Sequence, residues 1–185
     1  MYASGLIVRS NIRFFKEMYK EYYIDFLRKL DSDVKEVYEK GPITSKWYEL
    51  RRFFIEPMEI YAQVSNITDN IEFAKEIGRY SAEISLTGIY RLFLLLLNRN
   101  FLIKRASLII KKFYKGADAT IYEKDKNWFK LKIVDFPEMT QMLEHCICAF
   151  IERALEISKA NDVKYVIEQS ITKGNKESNI LFSWN

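Results

Sequence analysis

The stretch ATIYEKDKNWFKLKIV, residues 119–134, alternates between apolar and polar side chains, whereas the sequence before it repeats its apolar residues at helical spacing. In its second half, Phe129, Leu131 and Ile133 are separated by lysines, a pattern typical of a strand with one buried face. The polar residues 124–127 separate two such strands and predict the turn of an antiparallel hairpin. We therefore expect a mainly helical part over residues 1–116, and a sheet with one long helix over residues 117–185.

The sequence after this hairpin predicts a helix and then two more strands. Apolar residues recur at helical spacing from Pro137 to Ile157, so we expect a long helix that begins at the proline. Two further alternating runs, 163–169 and 179–184, connect through Gly174 and predict a second hairpin. The order strand–strand–helix–strand–strand indicates a four-stranded antiparallel sheet. Because one helix cannot cover both faces of that sheet, the N-terminal helices must pack on it, which predicts an α+β fold in a single domain over residues 1–185.

The N-terminal part has mostly helical spacing. We expect an edge strand at residues 6–8, followed by a helix that Ser10 caps. Residues 47–61 predict a helix interrupted by Pro57. A longer helix is predicted to begin at residues 69–70 and to run on to Leu97.

Composition and charge exclude several classes of protein. Hydrophobic residues make up 49% of the 185 residues, and 13 Phe, 12 Tyr and 3 Trp suggest a core or pocket with polar handles. The net charge of +4 arises from scattered basic and acidic residues, so a nucleic-acid-binding face is not indicated. The most hydrophobic run, residues 92–97, is far shorter than the roughly 20 residues of a membrane-spanning helix. With two cysteines, Cys146 and Cys148, and no signal-peptide pattern, we expect a cytoplasmic protein.

Residue types that carry catalysis or bind metals do not form a recognisable constellation. His145 is the only histidine, and Cys146 beside it points about 100° away around a helix, so the two do not make a ligand pair. Cys146 and Cys148 lack the spacing of redox or zinc pairs. We find no glycine-rich phosphate loop, and we expect no carboxylate within an apolar segment that would raise its pKa. Catalysis has little support, and we expect no metal and no cofactor.

Polar residues embedded in an apolar helical stretch are the more informative feature. Residues 77–80 and 88–91 each contain a glycine, a tyrosine and an arginine. Glycine costs about 1 kcal/mol relative to alanine in a helix, which suggests the close approach of another helix or of a ligand. Arg79 and Arg91 must reach solvent or pair with an acidic group. Helix packing with arginines that extend to the surface and an anion- or ligand-facing patch are both consistent with this pattern.

Several stretches resemble, in order and spacing, the bacterial domain family related to the four-vinyl-reductase-type small-molecule-binding domain, which has uncharacterised myxobacterial members. The matching stretches are residues 47–50 (WYEL), 76–81 (EIGRYS), 88–91 (GIYR), 152–156 (ERALE), 162–163 (DV) and 182–184 (FSW). The resemblance implies a fold similar to haem-based nitric-oxide sensors and to subunits of the TRAPP complex. Members of that superfamily bind hydrophobic or tetrapyrrole-like molecules between the helices and the sheet, or serve as assembly modules.

The sequence departs from these relatives in two places. Many relatives carry cysteines where Ser170 and Ser178 flank Gly174 here, so thiol or metal chemistry at this hairpin does not carry over. The Tyr-x-Ser-x-Arg haem-propionate motif of the nitric-oxide sensors is absent, and His145 does not lie in the corresponding context. We therefore expect that the protein does not bind haem.

The leading hypothesis is a non-catalytic domain of bacterial signalling that senses or carries a hydrophobic small molecule between the N-terminal helices and the sheet. The expected ligand-binding residues are Trp47, Arg79, Tyr80, Tyr90 and Arg91. The alternatives are a structural module that dimerises through the apolar face at residues 92–97, and a subunit of a reductase. An enclosed pocket above about 300 Å³ would favour ligand binding, and a filled interior would favour the structural module.

Overall fold

The computed structural model describes residues 1–85, 107–108 and 110–185, and it confirms the predicted α+β fold. The helices are α1 (Gly5–Met18), α2 (Tyr23–Leu27), α3 (Ser32–Lys40), α4 (Glu56–Val64), α5 (Asn70–Ser85) and α6 (Gln141–Ile157), with a π-helix at Arg51–Ile55 and 3-10 turns at Lys20–Tyr22 and Ile171–Lys173. The strands are β1 (Tyr2–Ser4), β2 (Trp47–Glu49), β3 (Tyr114–Lys115), β4 (Asp118–Lys124), β5 (Trp128–Val134), β6 (Lys164–Gln169) and β7 (Ser178–Ser183). Among the described residues, no helix is both long and apolar enough to cross a membrane.

The predicted four-stranded antiparallel sheet is present, with the order β4-β5-β7-β6. The alternation that predicted β5 also sets its register, because Phe129, Leu131 and Ile133 are all fully buried. Phe129 lies opposite Phe182 of β7, and the two rings stack with their centroids 5.0 Å apart. The sheet therefore presents one apolar face to the interior, as the sequence predicts.

Helix α6 packs against α5 at very short distance. A Cβ atom added to Gly78 of α5 would lie 2.2 Å from the carbonyl oxygen of Cys146 and 3.0 Å from the amide nitrogen of Phe150. Only glycine allows the two backbones to approach this closely, so the interpretation of Gly78 as a helix-packing position is confirmed. The contact joins the helical part of the chain to the part that contains the sheet.

The aromatic excess forms the core of the N-terminal helices. Phe15 stacks on Tyr61 with the ring centroids 3.9 Å apart, and both side chains are fully buried. The tyrosine hydroxyls form hydrogen bonds inside this core. The Tyr23 hydroxyl donates to the carbonyl oxygen of Tyr38 over 2.7 Å, and the Asn11 side chain donates to the Tyr38 hydroxyl. These hydrogen bonds explain how so many tyrosines are buried without a large desolvation cost.

A second, three-stranded sheet of order β2-β1-β3 corrects two predictions. Residues 6–8 are not a strand: they lie in α1, which begins at Gly5, and Ser10 is buried inside that helix instead of capping it. A short apolar run has no period that distinguishes a strand from a buried helix, so the prediction was open to this error. Residues 47–49 pair with β1 as a strand, although the sequence predicted a helix there.

Helix starts show two further differences from prediction. Pro57 does not interrupt a helix, because it lies in the first turn of α4, where the missing amide proton costs little. The long helix α6 begins at Gln141, four residues after Pro137, with Thr140 as its N-cap. The Thr140 hydroxyl accepts a hydrogen bond from the amide of Leu143 over 3.2 Å. Proline has no side-chain acceptor with which it could cap this free amide, so the helix begins after the threonine.

Candidate functional site

A small cavity lies between α1, the π-helix, α5, α6 and residues 110–114. As bounded by the described residues it has a volume of about 20 Å³, enough for roughly one water-sized molecule. Its walls include Ile7, Phe54, Ser81, Tyr114, Cys146 and Phe150. This volume is far below the ~300 Å³ at the lower end of ligand sites.

The few polar groups in the cavity wall are neutral. Burial raises the pKa of the Cys146 thiol to about 12, and burial also raises the pKa of the Tyr114 phenol well above its ordinary value. Both groups are therefore protonated at neutral pH. The described walls of the cavity consequently suit an uncharged, apolar molecule and offer no group that would balance the charge of an anion.

Arg79 pairs with carboxylates of two helices. Its guanidinium lies 3.1 Å from an oxygen of Glu152 on α6 and 3.2 Å from an oxygen of Glu72 on α5. Glu152 is buried, so Arg79 supplies the charge that makes this burial tolerable. The expectation was that this arginine reaches solvent or pairs with an acidic group, and Arg79 does both, with its acidic partners inside the protein.

Tyr80 and Trp47 lie in other contacts. The Tyr80 hydroxyl donates to Glu17 of α1, and its ring packs edge-on against Phe14 with the centroids 5.4 Å apart. Trp47 is opposite Ser4 in the small sheet and is 37% exposed. Arg79, Tyr80 and Trp47 thus contact three different sets of residues, and none of the three is among the residues that line the cavity. The remaining two expected ligand-binding residues, Tyr90 and Arg91, lie outside the described residues.

His145 faces the sheet and not the cavity. Its Nδ1 atom is 2.8 Å from the hydroxyl of Tyr165 on β6, whereas the next residue, Cys146, lines the cavity. Burial lowers the pKa of His145, and the nearby Lys75 lowers it further, so the neutral imidazole is favoured. Among the described residues, no group of three or more His, Cys, Asp and Glu side chains is arranged to hold a metal ion.

Two buried carboxylates contradict the prediction that none lies in an apolar segment. Glu144 is 1% exposed and Glu152 is 8% exposed, both on α6. Glu144 accepts hydrogen bonds from the hydroxyls of Ser170 and Ser178, which lie at the two ends of the loop that connects β6 to β7 in the second hairpin. The spacing of Glu144 and Glu152, eight residues apart and therefore on similar sides of an apolar helix, was the signal that could have revealed them.

An open cleft at the surface is larger than the cavity. It has a volume of about 510 Å³ and lies beside β1, β2 and the π-helix, where Glu49, Arg51, Arg52, Glu56 and Glu138 line it. Its charges are of both signs, and two are already neutralised, since Glu138 binds the N-terminal amine over 2.7 Å and Arg52 binds Asp33 over 2.6 Å. The cleft therefore has no clear preference for an anion or a cation.

Comparison with known proteins identifies the fold and no sequence relative. No family model matches the chain, and no curated protein matches it. Among solved structures, an unliganded Fe(II) H-NOX protein from K. algicida superposes with a TM-score of 0.71 at 8% identity over 98% of this chain and 96% of that chain. The H-NOX protein from S. oneidensis in the Fe(II)NO ligation state gives 0.72 at 11% identity over 98% and 99%.

A mutant of the H-NOX protein from T. tengcongensis is similar in the same way, with a TM-score of 0.68 at 13% identity over 98% of this chain and 97% of that chain. Each match covers nearly the whole of both chains, so the likeness includes the helical part and the sheet. At identities this low, the comparison concerns the path of the backbone. The chain has the H-NOX fold.

Proposed function

We propose that this protein is a non-catalytic domain that senses or carries a small, uncharged, hydrophobic molecule. The observation that carries the proposal is the cavity between α1, α5 and α6, whose described walls are mostly apolar and whose titratable groups, Cys146 and Tyr114, are protonated. These walls favour an uncharged guest over an ion, because they leave the charge of an ion uncompensated. The fold supports the proposal, because the solved structures that share it include ligand-bound and unliganded states of one type of domain.

Haem is the group that this fold suggests, because one of the solved structures that share it was determined to probe the function of haem distortion in the H-NOX family. The histidine and the cavity-lining cysteine in the described part of the chain do not fit it. The only histidine, His145, is turned toward Tyr165 of β6, on a different side of α6 from the cavity. The Cys146 thiol does face the cavity, but its burial disfavours the thiolate that would bind iron. We therefore propose a ligand other than haem.

The purified protein should accordingly be colourless. Expression in cells supplied with a haem precursor, followed by an absorption spectrum, checks this expectation. We expect no Soret band, because neither His145 nor Cys146 offers a suitable donor to the cavity. A Soret band that survives purification and is lost in His145→Ala would contradict the proposal.

A structural module that dimerises is the second candidate, and the small volume of the cavity favours it. Stacked aromatic rings such as Phe15 and Tyr61 fill the core of the N-terminal helices, and the described residues bound a cavity of only about 20 Å³. The apolar run at residues 92–97, which the sequence suggested as a dimer face, lies outside the described residues. The oligomeric state therefore has to be measured together with any bound ligand.

Native mass spectrometry of freshly purified protein tests both candidates at once. We expect a mass above that of the chain, with an excess that denaturing conditions remove as a hydrophobic compound. That compound should raise the unfolding midpoint of the ligand-free protein, since a ligand at 100 times its dissociation constant stabilises the folded state by about 2.7 kcal/mol. A monomer at the bare chain mass would contradict ligand binding, and a ligand-free dimer would support the structural module.

Two cysteine variants locate the ligand. Cys146→Met fills the cavity and should reduce the ligand-induced rise in midpoint, whereas Cys148→Ala, which changes a buried residue that does not line the cavity, should keep it. Tyr90→Phe and Arg91→Ala should also reduce the rise if these residues bind the ligand. An equal rise in all four variants would show that the ligand binds elsewhere.

A further inference from the structure

The buried contact between α6 and the β6–β7 hairpin has the geometry of a carboxylate receptor. The Ser170 hydroxyl donates to one oxygen of Glu144 over 2.6 Å, and the Ser178 hydroxyl donates to the other. All three side chains are at most 1% exposed. A carboxylate removed from water needs such donors at both oxygens, and the two ends of the hairpin supply them.

Backbone amides of the hairpin reinforce both hydroxyl donors. The amide of Ile171 donates to the Ser178 hydroxyl over 3.0 Å, and the amide of Thr172 donates to the Ser170 hydroxyl over 3.1 Å. Because the Ser170 hydrogen is directed at Glu144, the Thr172 hydroxyl must be the donor in its 2.7 Å contact with Ser170. Each carboxylate oxygen thus terminates a chain that runs from amide to hydroxyl to carboxylate, and bonds in such chains polarise one another.

This contact joins the interior to an exposed loop. The hairpin tip, residues 172–176, is exposed and turns at Gly174, whose φ of +86° lies in the left-handed region. On α6, Glu144 is close in sequence to Cys146 and Ile147, which line the cavity. A movement of α6 relative to the sheet would therefore change the hydrogen bonds between Glu144 and the serines of the hairpin.

We propose that the hairpin loop from Ser170 to Ser178 is a binding site for a carboxylate, and that Glu144 of the same chain is the carboxylate that occupies it. We call this contact the latch, because the bound carboxylate keeps the exposed tip of the hairpin ordered. The hairpin is ordered when the latch is closed and loosens when the carboxylate is withdrawn. The inference does not depend on the ligand proposed for the cavity, because it rests only on the contacts of Glu144.

Amide hydrogen exchange in the full chain, measured by NMR, tests the latch. Glu144→Ala empties the receptor, and exchange at the amides of Ile171 and Thr172 should become about tenfold faster or more, which corresponds to about 1.4 kcal/mol, the scale of one hydrogen bond to a charged group. Sodium formate supplies a free carboxylate and should restore slow exchange with increasing concentration. Sodium chloride at equal ionic strength should not. Unchanged exchange, or no restoration by formate in the folded variant, would overturn the proposal.

The matched control is Glu152→Ala, which removes the other buried carboxylate of α6. Because Glu152 pairs with Arg79 and not with the hairpin, its loss should leave the Ile171 and Thr172 amides slow relative to the core amides of β5, and formate should have no effect on them. Equal acceleration in both variants would mean that the hairpin responds only to general destabilisation, and the latch would be rejected.

Serine variants decide the matter if Glu144→Ala does not fold. Ser178→Ala removes the acceptor of the Ile171 amide, and Ser170→Ala removes that of the Thr172 amide. Each variant should accelerate exchange most strongly at its own amide while the core amides of β5 stay protected. Protection that is unchanged at both amides would overturn the proposal independently of Glu144→Ala.

Discussion

At the scale of the residue, the pair of Arg79 and Glu152 shows how a polar group suggested by the sequence acquires its role from a distant partner. The Arg79 side chain is 42% exposed and that of Glu152 is 10% exposed, so the pair lies between a surface and a buried ion pair. We expect Arg79→Met to lower the free energy of unfolding of the ligand-free protein by about 1–3 kcal/mol, less than the 3–5 kcal/mol of a fully buried pair, because Glu152 loses its main cation. Urea denaturation measures the change.

Arg153→Met is the control for this variant. Arg153 of α6 also links the two helices, through Glu83 of α5, and it pairs with Glu156 of its own helix. These carboxylates are 50% and 35% exposed and stay hydrated without it. Its loss should cost about 1 kcal/mol or less. If Arg79→Met left the ligand-free protein as stable as Arg153→Met does and abolished only the ligand-induced stabilisation, Arg79 would be a ligand-binding residue, as the sequence first suggested.

At the scale of the element, the contact of α5 with α6 depends on Gly78. We expect Gly78→Ala to destabilise the fold by about 1–3 kcal/mol or more, because the added Cβ meets backbone atoms of Cys146 and Phe150, which cannot rotate away. The gain of about 1 kcal/mol in helix propensity does not offset this clash. Thermal unfolding of the variant checks the expectation, and an increase in stability would show that the helices separate freely.

Gly174 provides the comparison, because a Cβ there meets nothing within 4 Å and only its φ of +86°, in the left-handed region, disfavours a side chain. Gly174→Ala should therefore cost about 1 kcal/mol from backbone strain alone. A loss in Gly174→Ala that equals or exceeds that of Gly78→Ala would argue against close helix packing as the reason for Gly78.

At the scale of the whole molecule, we expect the helical part and the sheet to unfold as one unit, because α5 and α6 join them through the Gly78 contact and the Arg79 ion pair. The tryptophans allow a direct test. Trp47 belongs to the N-terminal part, and Trp128 and Trp184 belong to the C-terminal part. The double variant Trp128→Phe/Trp184→Phe reports the fluorescence of Trp47 alone, and the variant Trp47→Phe reports that of Trp128 and Trp184. Within each variant, the urea midpoint from fluorescence should equal the urea midpoint from circular dichroism. Midpoints that differ between probes within one variant would divide the chain into two units.

The sequence by itself determined the features that depend on local pattern. The alternation over residues 128–134 predicted β5 and its buried face. Residues 69–70 predicted the start of α5, and of the two it is Asp69 whose carboxylate accepts from the amides of Ile71 and Glu72, over 3.0 and 2.9 Å. Gly174 marked the second hairpin because its left-handed backbone favours glycine. Strand period, capping and turn chemistry are properties of neighbouring residues, so one sequence suffices to recognise them.

Only the tertiary structure decided which partners the polar groups meet. Glu144 and Ser178 are 34 residues apart, and Arg79 and Glu152 are 73 apart, so no local pattern connects them. For the same reason, the sequence could not show that residues 47–49 are a strand, because their partner in β1 lies more than 40 residues earlier. A hydrogen bond or an ion pair forms wherever the fold brings two groups together, and the free energy of burying a carboxylate depends on that distant donor and not on the helix that carries it.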